Sequence, residues 1–190
     1  QLKSRIVNNL SFSSLDYILN SGIKNNFQLN FKNLNSVGKN VSEYKSSPQV
    51  EVSSIFEFKS SIPMKKQNKT YLDYLTPKLS FRLNPSDMKN YNGSNRTINT
   101  GNIFSIDRLG LSDTFESGKS ITLGIDYKRE KLKNVNKYFE MSLATVFRDK
   151  EEAFIPSKTT LNKKNSNIFG SVSNNFSENF NLTYNFAIDN

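Results

Sequence analysis

Hydrophobic and polar residues alternate along several segments of the sequence, and this period of two constrains the fold more than any other feature. In "ITLGIDYK", residues 121–128, Ile, Leu, Ile and Tyr alternate with Thr, Gly, Asp and Lys. Such alternation places successive side chains on opposite faces of a β-strand. Similar patterns occur near residues 27–32, 50–59, 75–83, 139–148 and 180–186. The sequence therefore predicts an all-β fold, an antiparallel meander of about eight strands.

Runs of turn-forming residues separate these strands, and the runs differ in length. Short runs occur at Asn20–Asn26 and Lys133–Lys137, and long ones are predicted at Asn33–Gln49, Asn84–Asn102 and Asp149–Asn167. Alternating short and long connections, strands of about ten residues and aromatic residues near strand ends are typical of outer-membrane β-barrels. A soluble β-sandwich or adhesin also has one polar and one apolar face on each strand, so it remains the alternative.

The residue types that are missing exclude several function classes. The 190 residues contain no Cys and no His, which removes disulfides, thiolate metal sites and the usual general base. We therefore expect no enzyme activity, no metal and no cofactor. No apolar run approaches the roughly 18–20 residues that a membrane helix needs. The chain begins with Gln1 and shows no signal-peptide pattern, so we interpret residues 1–190 as one incomplete domain of a longer protein.

The chain is basic, with a formal net charge of +9, which suits nucleic acid, anionic lipid or acidic sugars as partners. The basic run at residues 128–133 has no stacking platform beyond one Tyr, so nucleic acid is not expected. Four mid-strand cations are predicted to share the polar face that would line a barrel lumen: Lys78, Arg82, Lys128 and Arg148. They would either attract a phosphorylated lipid or simply be the polar residues that a wet wall needs. We expect Arg82→Leu to be mild for folding.

A charged loop precedes the strand at residues 121–128, and it contains the main candidate site: Asp107, Arg108, Asp113 and Glu116. The planar guanidinium of Arg108 can bind a carboxylate with two parallel hydrogen bonds. We predict an Arg108–carboxylate pair that holds the loop against the sheet, with Gly110 and Gly118 allowing the backbone to turn. The alternatives are contact with sugar or phosphate groups, or a solvated loop whose surface ion pairs contribute little.

The stretch "NIFSIDRLGLSDTFESGKSITLGIDYK", residues 102–128, resembles the barrel of the lipopolysaccharide-assembly LptD family, also called the organic-solvent-tolerance family. The matching residues are Phe104, Ser105, Arg108 and Asp113 in the loop, Glu116 and Gly118 in an acidic turn, and Leu123 and Gly124 in the strand. Gly110 and Leu111 stand where the family often has Ser-Gly. "YLTPKLSFRLNP", ending at Pro85, and "MSLATVFRD", residues 141–149, are similar to the family's preceding and following strands.

The resemblance implies part of a transmembrane β-barrel in the bacterial outer membrane, which inserts lipopolysaccharide into the outer leaflet. It implies lipopolysaccharide, an LptE-type outer-membrane lipoprotein, periplasmic lipopolysaccharide-bridge proteins and outer-membrane lipid as partners. On this interpretation one face of the sheet contacts lipid. The residues expected on that face are Phe27, Leu29, Phe31, Leu79, Phe81, Leu123, Ile125, Met141, Leu143 and Leu182.

Overall fold

A computed structural model describes residues 2–39, 45–177 and 179–189, and the chain there forms one antiparallel sheet. Its strands are β1 (Leu2–Ser13), β2 (Tyr17–Ile18), β3 (Lys24–Lys39), β4 (Gln49–Ser61), β5 (Met64–Gln67), β6 (Tyr71–Asn84), β7 (Gly118–Lys131), β8 (Asn134–Arg148), β9 (Ile168–Ser177) and β10 (Phe180–Ile188). A 3-10 turn occurs at Ser157–Thr159. None of the helical segments in these ranges has the length and apolar character needed to span a bilayer.

The strands follow one another across the sheet in the order β1-β3-β4-β6-β7-β8-β9-β10, while β2 pairs with β3 and β5 pairs with β6. All of these pairings are antiparallel. The predicted all-β antiparallel meander is therefore confirmed. The sheet is open, because β1 and β10 are its two edges and no pairing within the described ranges joins them.

The loop predicted at 33–49 is too long, because β3 continues to Lys39. The polar residues Asn33 and Asn35 follow Phe31 on the same side of the strand, which ends the apolar alternation that the prediction relied on. Leu34 points the other way and is buried, with 1% of its surface exposed. Ile55, which interrupts the alternation in β4, is also buried at 1%. Both exceptions lie on the polar face, where part of the core forms.

Strand register places the ten residues predicted to face lipid on one side of the sheet. Phe27, Phe58, Phe81, Ile121 and Phe147 form a row of direct partners across β3, β4, β6, β7 and β8, and direct partners share a face. The same register and the alternation along each strand place the other predicted residues on this side as well. We call this side the outer face. Several of its hydrophobic side chains are exposed, since no described residue packs over them.

The opposite, inner face is covered by the connections 85–117 and 149–167, which we call the cap. Its buried residues form one core with the sheet: Met88, Ile98, Ile103, Leu109, Leu111, Ile155 and Leu161 from the cap, and Ala144, Val146 and Phe169 from the strands. As predicted, these long connections, which the structure describes throughout, contain no strand or α-helix, and the 3-10 turn is their one helical element. What the sequence did not reveal is that they fold against the sheet and share its core. Their hydrophobic residues have no period-two or helical spacing, yet they supply most of the core.

Connections at the two ends of the sheet differ in length. The cap segments join β6 to β7 and β8 to β9 at one end, which we call the long-connection end. A hairpin at residues 132–133 joins β7 to β8 at the other, short-connection end. Because each strand reverses direction, consecutive connections alternate between the two ends. Inner-face residues near the long-connection end are mostly buried, whereas those near the short-connection end are partly exposed.

Truncation of the cap core tests this packing. Ile103→Ala removes a fully buried side chain and should destabilise the cap by about 2–5 kcal/mol. Trypsin should then cut faster at Lys89 and Arg96, because cleavage tracks the population of the opened segment. Leu132→Ala in the exposed hairpin is the matched control. Equal cleavage rates in both variants would contradict the packed cap.

Candidate functional site

Arg108 and Glu116, both in the cap, form a buried ion pair beside β7. Arg108 Nε donates to Glu116 Oε2 at 2.7 Å, and Nη2 donates to Glu116 Oε1. The same guanidinium donates to Thr122 Oγ1 at 3.0 Å and Ser120 Oγ at 3.2 Å, both on β7. Arg108 therefore has the carboxylate partner expected from the sequence, and it fixes the loop to the inner face of the sheet.

Arg148, the last residue of β8, is a second cation on the same carboxylate. Its Nη1 donates to Glu116 Oε1, and its Nη2 donates to the Ser117 carbonyl oxygen at 2.5 Å. Gly118 follows with a φ of 84°, and a Cβ there would lie 3.0 Å from Arg148 Nη2. Glycine is needed at this position both for the backbone angle and for the space that the guanidinium occupies. We call Arg108, Glu116 and Arg148 the ion triad.

The ionisation of Glu116 is strongly favoured. Burial alone would raise the pKa of this carboxyl, but the charge and hydrogen bonds of Arg108, together with the charge of Arg148, lower the pKa to about 2. The side chain of Glu116 is only 6% exposed. The Glu116 carboxylate consequently stays ionised at every pH well above 2.

A second buried ion pair joins neighbouring strands beneath the cap. Arg82 on β6 donates from Nε and Nη2 to Glu57 Oε1 on β4, at 3.1 Å and 3.0 Å. Ser80 Oγ donates to the same oxygen at 2.6 Å, and Arg82 Nη2 also donates to the carbonyl oxygen of Ser105 in the cap. The expectation that Arg82→Leu is mild for folding does not fit these contacts, because Glu57 would stay fully buried with Lys59 as its remaining cation.

Lys32 on β3 is the cap contact that the sequence did not reveal. Its ammonium donates to the carbonyl oxygens of Leu111 and Thr114, and it lies 3.4 Å from Asp107 Oδ2. The ammonium also sits 4.3 Å from the centre of the Phe115 ring. In the sequence, Lys32 occupies an ordinary polar position in the alternation. In the structure it is buried, with 5% of its surface exposed, and it contacts the cap.

The four residues of the predicted loop cluster do not form one site. Arg108 and Glu116 meet in the ion triad, whereas Asp107 pairs with Lys32. Asp113 accepts a 2.6 Å hydrogen bond from the Tyr91 hydroxyl and lies 3.7 Å from Arg5. Gly110 has the positive φ expected of it, 59°. The described ranges contain no group of three metal-ligating side chains. The contacts of these four residues hold the loop in place.

The four predicted lumen cations share the inner face but occupy different surroundings. Arg82 and Arg148 are buried beneath the cap. Lys78 and Lys128 lie in its less covered part, where Lys78 pairs with Asp126 at 2.5 Å and Lys128 with Glu140 at 3.3 Å. Each has a carboxylate partner, so this wall has a nearly balanced charge and is not a strongly anion-attracting surface.

Removing Arg108 tests the ion triad. Arg108→Ala should destabilise the cap by about 3 kcal/mol, since Glu116 would remain buried with one cation fewer. We expect less folded protein by heat-modifiable electrophoretic mobility and faster chymotryptic cleavage of the cap, since chymotrypsin does not cut at the replaced arginines. Arg96→Ala, an exposed arginine in the same connection, is the matched control and should behave like wild type. An Arg108→Ala protein as resistant as the control would show that the triad does not hold the cap.

Acidification tests the charge state of Glu116. Because its folded-state pKa is about 2 against an ordinary 4.5, its contribution is fully present above pH 4.5 and is lost as pH falls toward 2. The contribution is on the order of 3 kcal/mol. Pepsin should cleave the cap increasingly over that range, and Glu116→Gln should flatten the dependence. Glu151→Gln, exposed in the same cap, should keep the wild-type profile; a shared profile would contradict the assignment.

A family model matches nearly the whole chain. The sequence model of the LptD family, described as LPS transport system D, matches residues 4–189. This match covers both edge strands, the cap and the ion triad. The search of curated proteins found no match.

Proposed function

The chain belongs to the LptD family, and we propose that it forms part of the wall of an outer-membrane β-barrel that inserts lipopolysaccharide into the outer leaflet. The observation that carries this proposal is the uncovered outer face, a continuous apolar surface across the sheet. Phe27, Leu123 and Leu182 are 44%, 43% and 57% exposed on it. Soluble monomers rarely expose apolar patches of this extent, whereas a bilayer satisfies them.

The alternative, a soluble or cell-surface binding module, has less support. A sandwich would bury the apolar face against a second sheet and leave the polar face in water. Here the core lies on the polar face, where cap residues pack with Ala144, Val146 and Phe169 of the sheet. An apolar outside with a polar, partly filled inside is the arrangement of a membrane barrel.

The proposed mechanism is mechanical and electrostatic. The hydrophilic inner face offers a path for the sugar part of lipopolysaccharide, while its acyl chains leave through an opening between strands elsewhere in the barrel. The paired charges of Lys78 and Lys128 suit such a path, because a balanced wall lets a phosphorylated lipid pass without holding it. An LptE-type lipoprotein and periplasmic lipopolysaccharide-bridge proteins are the proposed partners, and the bacterial outer membrane is the proposed location.

The unequal ends of the sheet support an orientation. Outer-membrane barrels have short turns on the periplasmic side and longer loops on the extracellular side. The short-connection end, with the hairpin at 132–133, is therefore assigned to the periplasm. The cap would then enter the barrel from the extracellular end and close part of its interior there.

A charge placed on either face of the sheet tests the membrane proposal. Leu123→Arg puts a cation on the outer face, where a charge near the bilayer midplane costs about 2–4 kcal/mol. Thr76→Arg puts the same side chain on the inner face opposite Asp126 and should be tolerated. We expect Leu123→Arg to reduce both the heat-modifiable folded form and the surface lipopolysaccharide in cells that depend on the protein. Equal tolerance of the two changes would refute a lipid-facing outer face.

A further inference from the structure

At the short-connection end, the outer face changes from apolar to aromatic and basic. Arg129 lies there on β7, as the direct partner of Asp73 on β6 and Phe139 on β8. Its guanidinium is 5.4 Å from the centre of the Tyr71 ring and 6.0 Å from that of Tyr127. The cation is thus held between two aromatic rings at the edge of the apolar surface.

Asp73 orients this guanidinium but does not use all of its N–H donors. Arg129 Nε donates to Asp73 Oδ1 at 2.7 Å, and the Tyr127 hydroxyl donates to the same oxygen at 2.7 Å. Nη2 makes only a long 3.4 Å bond to Asp73 Oδ2. A guanidinium has five N–H donors, and the Arg129 side chain is 48% exposed. Donors therefore remain available for a second anion.

Two clefts flank Arg129 and carry further cations. One, of about 240 Å³, is lined by Lys131, Lys137 and Phe139, and the other, of about 340 Å³, by Lys66 and Leu75. Among the residues described at the two clefts, Asp73 is the only acidic one. The clefts are therefore net positive, unlike the balanced inner face of the same strands.

We propose that this group, the interfacial cluster of Lys66, Arg129, Lys131 and Lys137, binds the phosphate of an anionic glycerophospholipid. The phosphate would contact Arg129 and the lysines, while the acyl chains would follow the neighbouring outer-face residues Leu75, Ile125 and Met141. Aromatic and basic side chains at such a boundary fit the headgroup region of a bilayer. This proposal depends on the proposed membrane function, and it places the lipid in the periplasmic leaflet.

The position of the cluster favours a bilayer lipid over a free phosphate. Its cations stand directly above an apolar surface, and a soluble anion would gain nothing from that surface. An aromatic girdle at the membrane boundary requires only the tyrosines. It does not explain why four cations surround a single carboxylate here. Each cation near an anionic lipid surface contributes about 1 kcal/mol, and together they would select an anionic headgroup over a zwitterionic one.

Native mass spectrometry of the protein in non-ionic detergent tests this, with added phosphatidylglycerol or phosphatidylcholine of the same acyl chains. Wild type should bind phosphatidylglycerol at least about 10-fold more tightly. The triple variant Arg129→Gln, Lys131→Gln, Lys137→Gln should lose most of this preference, since only Lys66 of the cluster remains. Lys119→Gln, at the opposite end of the same face of β7, should keep the wild-type preference. Inorganic phosphate at millimolar concentration should not displace the lipid.

Three results would overturn the proposal: no headgroup preference in wild type, a preference that stays largely intact in the triple variant, or displacement by inorganic phosphate. If the triple variant fails to fold, the double variant Lys131→Gln, Lys137→Gln retains Arg129 with Asp73 and should lose part of the preference. Heat-modifiable mobility is scored in parallel. Failure of the membrane proposal would appear there for wild type, whereas failure of the lipid site alone would leave a folded protein without headgroup selectivity.

Discussion

The ion triad is the interaction on which the rest of the structure depends. Glu116 lies two residues before β7, Arg148 ends β8, and Arg108 belongs to the cap. One carboxylate therefore ties the start of a strand, the end of its neighbour and the segment that covers both. A buried ion pair is not more stabilising than well-packed hydrophobic residues of the same volume. In this placement of the cap all three charges are paired, and moving the cap away would separate Glu116 from Arg148.

The cap packs on the inner face because the two faces of the sheet differ. No described residue covers the outer face, so hydrophobic packing occurs on the inner face, which is otherwise polar. Leu34, Ile55, Ala144 and Val146 supply apolar positions there, and the cap supplies the rest. Buried Lys32 and Arg82 then reach carbonyl oxygens of the cap, since loop backbone excluded from water needs hydrogen-bond partners. The cations of the sheet thus act as donors to the cap.

The alternation made the strands and their faces predictable, because a period of two leaves no freedom about which side a residue takes. A pair between Arg108 and a carboxylate was also predictable, since Asp107, Asp113 and Glu116 lie close to it in sequence. The sequence did not show which of the three it would be. The role of Lys32 was not predictable, because its partners are carbonyl oxygens of residues far along the chain. The cap core was missed because irregular segments carry no period. In retrospect, Ile55 and Leu34 were the signal, as apolar residues at polar positions predict something packed above them.

Charged side chains are arranged differently at the two ends of the sheet. Near the long-connection end the cap covers the inner face, and the charged residues there form buried ion pairs that hold the cap. Near the short-connection end the inner face is open, and Lys78 and Lys128 are neutralised by Asp126 and Glu140. Unbalanced positive charge is left on the outer face, around Arg129. For the proposed function this separation matters: a cation that binds phosphate tightly on the inner face would hold the cargo, whereas on the outer face it would anchor the sheet to lipid.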